Sequence, residues 1–227
     1  FEGVVTGAAD GYARMAGRPA ATLLHLGPGL ANGAANLHNA RRARSPIINL
    51  VGDHTHAHLP LDAPLTTDVA AVARPFSVWV QSVDGPAAAG PMAAAALTAA
   101  RAFGGPATLI VPADSAWSEG ASALEPPAPV PPPAPDEGRL AAAAAVLAKF
   151  GSRAMLLLGG AALSQRGQQA AARIAVATGA RLASETFNAR AARGGGRPLV
   201  PKIPYFGAAA EAFLSEVDAL LRFGARS

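Results

Sequence analysis

EGVVTGAADGYARMAG (residues 2–17), ATLLH (21–25), GPG (27–29), LANGAANLHNARRAR (30–44) and PIINLVGD (46–53) follow one another at the head of this 227-residue chain, and their order decides the fold. The first block places apolar residues near a 3.6-residue period, at Val4, Val5, Ala8, Ala9, Tyr12 and Ala13, with Gly17 and Pro19 to stop it. That pattern reads as a helix. ATLLH and PIINLVGD are short continuous apolar runs, the texture of strands buried on both faces. Between them Gly27-Pro28-Gly29 reads as a tight turn into a second helix. Helix, strand, helix, strand is the grammar of a parallel sheet, and such sheets bind ligands at their carboxyl edge. Glu2 at a helix start, His25 at a strand end and Asn32 at the turn-to-helix junction are expected to converge there.

The alternation continues outward. HTHAHLPLDAPLTT (54–67) is a polar loop punctuated by proline, and Asp68 to Arg74 fits a short helix stopped by Pro75. FSVWVQSV (76–83) reads as a strand, PMAAAALTAARAF (91–103) as a long helix and ATLIVP (107–112) as another buried strand. The stretch EGASALEPPAPVPPPAP (119–135) has no periodicity and much proline, which makes it an extended connector. Beyond it helix and strand textures restart: EGRLAAAAAVLAKFG, RAMLLLGG, SQRGQQAAARIAVATG, RLASE, a long irregular loop from Phe187 to Gly207, AAAEAFLSEV and DALLRFGA. The expected fold class is therefore α/β, with two doubly wound parallel-sheet domains joined by a Pro-rich linker: residues 1–118, linker 119–136, and a smaller domain at 137–227.

Composition narrows the function classes. The chain is 51% hydrophobic and 15% charged, with no apolar run of the roughly 20 residues a membrane span needs, so no membrane partner is expected. Its formal net charge of +4 comes mostly from scattered arginines, and aromatics are 5%, which speaks against nucleic acid. Without cysteine it has no disulfide, no thiolate metal site and no thiol nucleophile, and it is compatible with the cytoplasm, the location expected here. A start at Phe1 suggests an internal segment of something longer.

Each candidate residue has a bland reading. A glutamate in a first helical turn is favoured by the macrodipole alone, and a histidine at a strand end is commonly a hydrogen-bonded structural residue. Gly27-Pro28-Gly29 by itself says only that the backbone turns or comes close to a ligand. His54, His56 and His58 include an H-x-H spacing, which also opens the metal site of barrel hydrolases, but no distant ligands of similar quality follow, and no metal site is expected.

Together the motifs say more. EGVVTGAADGYAR, a buried strand, GPG, a helix bearing Asn32, Asn36 and Asn39, and SPIINLVGD resemble the pyrimidine-binding domain of the thiamine-diphosphate-dependent 2-oxo acid enzymes, among them acetolactate synthase and benzoylformate decarboxylase. The resemblance runs on through DAPLTTD, RPFSVWV and GPATLIVPAD, and more loosely through AMLLLGGAA and LLRFGAR to the family's central domain. It implies that Glu2 hydrogen-bonds the cofactor pyrimidine, in a dry apolar surround such as Val4 and Val5 would give, with its carboxyl pKa raised. Gly27, Pro28, Gly29 and Asn32 would line the cofactor. It also implies an active-site histidine at His25, as in benzoylformate decarboxylase-like members, where acetolactate synthases usually carry a small hydroxyl residue.

The function the resemblance implies is decarboxylation of a 2-oxo acid with carboligation, acetolactate synthase-like. The alternatives are simple decarboxylation of the benzoylformate type and a non-catalytic module that kept the fold. The implied cofactors are thiamine diphosphate and Mg²⁺, whose site would lie outside this segment because the family's G-D-G motif is absent here. FAD stays open, since acetolactate synthases carry it in the central domain, many relatives do not, and the Phe187–Phe206 loop does not decide. The implied partners are a 2-oxo acid and a second subunit, in a homodimer or homotetramer with the site between subunits. A strand and helix expected ahead of Glu2 are also missing, so this segment alone should not bind cofactor tightly.

Overall fold

The structure is a computed structural model that describes residues 1–131 and 133–225. The chain divides into two compact units, residues 1–131 and 132–227. In the first, the order is α1 (Glu2–Ala16), β1 (Ala20–His25), α2 (Leu26–Ala43), β2 (Ile47–Asp53), α3 (Val69–Ala73), β3 (Trp79–Ser82), α4 (Ala89–Ala99), β4 (Pro106–Pro112) and α5 (Ala113–Trp117). The four strands lie side by side as β1-β2-β4-β3, and every pairing is parallel. From β1 to β2 to β3 the chain moves one way across the sheet, and from β3 to β4 it comes back. Right-handed crossovers then put the connecting helices on opposite faces. Leu30 and Leu37 of α2 accordingly pack on Leu24, Val51 and Ile110. Ala96 of α4 and Ala100 pack on Ala107, Ile48 and Trp79.

A line of polar side chains crosses the first of these faces. The register sets Thr22 beside Asn49 and Asn49 beside Thr108. Thr22 Oγ1 donates to Asn49 Oδ1 at 2.8 Å, Asn49 Nδ2 donates to Thr108 Oγ1 at 3.1 Å, and Ser77 Oγ meets Thr108 Oγ1 at 2.7 Å. All four residues are buried, so each polar atom in the line depends on its neighbour.

Helix α1 docks on α2 through small residues. Its buried positions are Thr6, Ala9 and Ala13, and Ala9 meets Ala40 and Ile47. A Cβ placed on Gly33 would stand 2.7 Å from Thr6 Cγ2, so glycine there sets the spacing of the two helices. Gly33→Ala is expected to cost about 1–3 kcal/mol by overpacking a buried β-branched neighbour. A urea titration that leaves the midpoint unmoved would contradict that packing.

Three sequence expectations need correction. The buried stripe of α1 is not the one suggested by Val4, Val5 and Tyr12, which are exposed. Strand β1 is covered on one face only: it lies at the sheet edge, and Leu23 is 76% exposed. Gly27-Pro28-Gly29 is not a loop turn but the first turn of α2. The chain reverses one residue earlier, at Leu26, whose φ of 55° takes the turn that glycine was expected to take. Proline is tolerated at Pro28 because the first backbone N–H groups of a helix have no partner within it. The stretch 118–131 is without regular structure and groups with the first unit.

In the second unit α6 (Glu137–Phe150), β5 (Ala154–Leu158), α7 (Gln165–Thr178), β6 (Arg181–Ser184), α8 (Gly207–Leu214) and β7 (Ala219–Phe223) form a three-stranded parallel sheet of order β6-β5-β7. Leu147 of α6 and Ala171 of α7 cover the face of Leu156 and Leu158, while Phe213 and Leu214 of α8 cover that of Met155 and Leu157. Strand β5 is buried throughout, as its unbroken apolar run predicts. No helix among the described residues is long and apolar enough to cross a membrane.

Candidate functional site

Glu2 opens α1, where the unpaired N–H groups and the positive end of the helix favour a carboxylate. Two residues of α2 hold this end from one side. Asn32 Nδ2 donates to Glu2 Oε2 at 3.0 Å, and Asn36 Nδ2 donates to the Gly3 carbonyl at 2.6 Å. Four residues apart, both point to the same helix face. Thr6 adds a buried tie, its hydroxyl donating to the carbonyls of Glu2 at 2.9 Å and Gly33 at 3.2 Å.

Gly29 lies beneath the carboxyl. A Cβ there would fall 3.2 Å from Glu2 Oε1 and 3.5 Å from His25 Cβ, so glycine leaves the acid and the histidine room to share one corner. A Cβ on Gly27 would stand 2.4 Å from Thr67 Cβ, which shows that the loop after β2 closes onto the head of α2. His25 ends β1 in extended conformation at the cap of α2, exposed, and its imidazole has no hydrogen bond among the described residues. Glu2, His25, Gly29 and Asn32 are therefore brought together at the carboxyl end of β1. Asn32 stands in the second turn of α2 rather than at the junction, and Pro28 is in the first turn.

The electrostatics differ from the sequence expectation. Hydrogen bonding to its own backbone, and then to the Asn32 amide, holds the Glu2 carboxyl below its usual range rather than above it. Val4 and Val5 turn outward and give it no dry surround. Within this chain Glu2 is an ionised, half-exposed carboxylate, and only an added surface would dry it.

The sequence names Asn36 among the asparagines of the resemblance but gives neither it nor Thr6 a role in the site. The spacing of Asn32 and Asn36 on one helix was the available signal for Asn36, while a threonine inside an alanine- and glycine-rich helix gives no signal of its own. The loop histidines separate. His56 Nδ1 is 2.9 Å from Asp114 Oδ2, while the buried Nε2 of His54 has no hydrogen-bond partner among the described residues. No group of three or more His, Asp or Glu that could hold a metal ion occurs among the described residues.

Comparison with known proteins shows what the chain is similar to. Residues 1–72 match the family described as thiamine pyrophosphate enzyme, N-terminal TPP binding domain. The whole chain is 52% identical to the Mycobacterium tuberculosis protein named "Putative acetolactate synthase large subunit IlvX", of which it spans 44%. Over 79 residues, 34% of this chain and 15% of the relative, it is 35% identical to benzoylformate decarboxylase of Pseudomonas aeruginosa. Among solved structures, a "putative thiamin diphosphate-dependent enzyme" from Mycobacterium smegmatis superposes with a TM-score of 0.81 at 26% identity, over 97% of this chain and 43% of that one. The benzoylformate decarboxylase of Polynucleobacter necessarius shares the fold, with a TM-score of 0.69 at 22% identity over 81% of this chain and 35% of that one. The chain spans less than half the length of the relatives it matches. Its first 72 residues belong to the N-terminal TPP-binding domain family of thiamine pyrophosphate enzymes, and the chain as a whole is a relative of an acetolactate synthase large subunit-like protein.

Proposed function

We propose that the protein to which this chain belongs is a thiamine-diphosphate-dependent enzyme that decarboxylates a 2-oxo acid and joins the remainder to a second one, as an acetolactate synthase does. The observation that carries the reading is the corner made by Glu2, Gly29 and Asn32: a carboxylate fixed by an amide at the head of a helix, above a residue without a side chain. That donor set fits an aminopyrimidine, whose ring nitrogen needs an acid or its conjugate base in a fixed place. Glu2 would hold the ring, with Gly29 as its bare lining and Gly27 and Pro28 beside it in the same helical turn. When bound, the cofactor supplies the means to break the bond between the carbonyl and carboxyl carbons of the substrate.

The chain's own residues do the rest. Asn32 keeps the Glu2 carboxyl in one orientation, so a proton can be held at, or released from, a fixed oxygen. For that proton to stay on Glu2 near neutral pH its carboxyl must be covered. Val4, Tyr12 and Met15, exposed along α1, support a second subunit as the cover, in a homodimer or homotetramer. Mg²⁺ and the diphosphate would be held outside this chain.

His25 favours a second reading, simple decarboxylation of the benzoylformate type, because an imidazole beside the carboxylate, with no hydrogen bond among the described residues, can return a proton to the product. His25→Ala is expected to change the rate or the product ratio while cofactor binding persists. If neither kinetic quantity moves, His25 is structural. Product analysis of the complete protein with thiamine diphosphate and Mg²⁺ separates the readings: acetolactate from pyruvate supports ligation, benzaldehyde from benzoylformate supports the second, and neither product retires both.

A further inference from the structure

The loop after β2 brings another histidine to the carboxyl edge of the first sheet. Two contacts fix it to one carboxylate: His56 Nδ1 lies 2.9 Å from Asp114 Oδ2, and the His56 backbone N–H donates to that oxygen at 3.3 Å. With Nδ1 held there, Nε2 is the outward nitrogen, without a hydrogen-bond partner among the described residues. Strand register sets the pair near the corner already described. His25 ends β1 opposite Gly52, β2 ends one residue later at Asp53, and Asp53 pairs with Pro112, two residues before Asp114.

An exposed ion pair contributes little to stability, so stability alone is a weak reason for this arrangement. Polar atoms of the pair and of its loop are also unmatched: among the described residues, Asp114 Oδ1, His54 Nε2 and Thr66 Oγ1 are buried without hydrogen-bond partners. A base oriented by a carboxylate, with its far nitrogen open, is the arrangement that proton transfer requires.

We propose that His56 is a second proton-transfer group of the 2-oxo acid site, presenting Nε2 to the substrate, with Asp114 as its positioning residue. This rests on the reading under Proposed function. The imidazolium gives the Nε2 proton to a substrate oxygen that gains negative charge, so an O–H bond forms as the N–H bond breaks. The neutral ring keeps Nδ1–H on Asp114, and solvent later restores the proton. The charges facing the ring are Asp114 at the start of α5, Asp84 after β3 and Asp53 at the end of β2. The hydrogen bond from Asp114 foremost, with the charges of all three, raises the His56 pKa and keeps the imidazolium available nearer neutral pH.

The test uses the complete protein with thiamine diphosphate and Mg²⁺. His56→Gln is expected to lower kcat about 10²-fold or more, with proton exchange at the cofactor C2 unchanged. Asp114→Asn removes the charge that stabilises the imidazolium, so the basic limb of the kcat profile should move to lower pH. The His56 ring titration followed by NMR should move with it. Wild-type kcat in His56→Gln overturns the role of His56, and an unshifted ring titration in Asp114→Asn overturns that of Asp114; normal C2 exchange in both cases leaves the wider reading standing. A wild-type protein that shows no C2 exchange overturns the wider reading and this proposal with it.

Discussion

Replacing Asn49 with leucine is expected to destabilise the first unit by about 1–3 kcal/mol, a large share of the stability of an ordinary domain. Leucine fills similar space, but it can neither accept from Thr22 Oγ1 nor donate to Thr108 Oγ1. Thr108 keeps Ser77, whereas the Thr22 hydroxyl is left buried without a partner. The cost is that of a stranded donor rather than of lost packing. Adding Thr22→Val should then recover part of the loss, because removing both partners of a buried hydrogen bond costs less than removing one. Both tryptophans, Trp79 and Trp117, lie in the first unit, so fluorescence during a urea titration reports on it selectively. A midpoint unchanged from wild type in Asn49→Leu would mean that the polar line across the sheet carries no weight.

That line also shows how far the sequence could be read. The strand textures around Asn49 and Thr108 are legible because continuous apolar runs bounded by turn residues have few other uses in an α/β chain. The helix ends are legible for the same kind of reason: Gly17 and Gly179 both adopt the left-handed conformation that closes α1 and α7. The polar line itself is not legible, because it depends on strand order. Only when β4 is placed beside β2, across the crossover through β3, do residues far apart in sequence become partners.

The head of α2 differs from the sequence expectation for a local reason. Glycine and proline together ordinarily mark a loop, and here they occupy helical positions that need no N–H donor, while the strained turn fell to Leu26. The site was half legible. Glu2, His25, Gly29 and Asn32 do meet, because the end of a strand and the starts of two helices share one edge of the sheet. The state of the Glu2 carboxyl was not legible, since its pKa depends on what covers it, and Val4 and Val5 face away. Nor was the pairing of His56 with Asp114, which joins the ends of neighbouring strands.

Glu2→Gln is the second substitution with a large expected effect. The amide side chain keeps the length and shape of the acid, and its carbonyl can still accept from Asn32, so the corner should stay folded and able to bind the cofactor. What it loses is the ability to exchange a proton with a ring nitrogen, a contribution worth roughly 10²–10⁴ in rate. The binding constant should therefore change little while activation of the cofactor collapses. Replacing Gly29 with alanine should give a milder version of the same defect, because the new methyl group would press on Glu2 Oε1 without removing the acid.

The most direct test is hydrogen–deuterium exchange at C2 of thiamine diphosphate bound to the complete protein, quenched in acid and read by NMR, for wild type and Glu2→Gln side by side. The expected result is exchange in the wild type and a rate at least 10²-fold slower in the variant at equal cofactor occupancy. Equal rates in the two proteins would contradict the assignment of Glu2 as the acid that serves the cofactor.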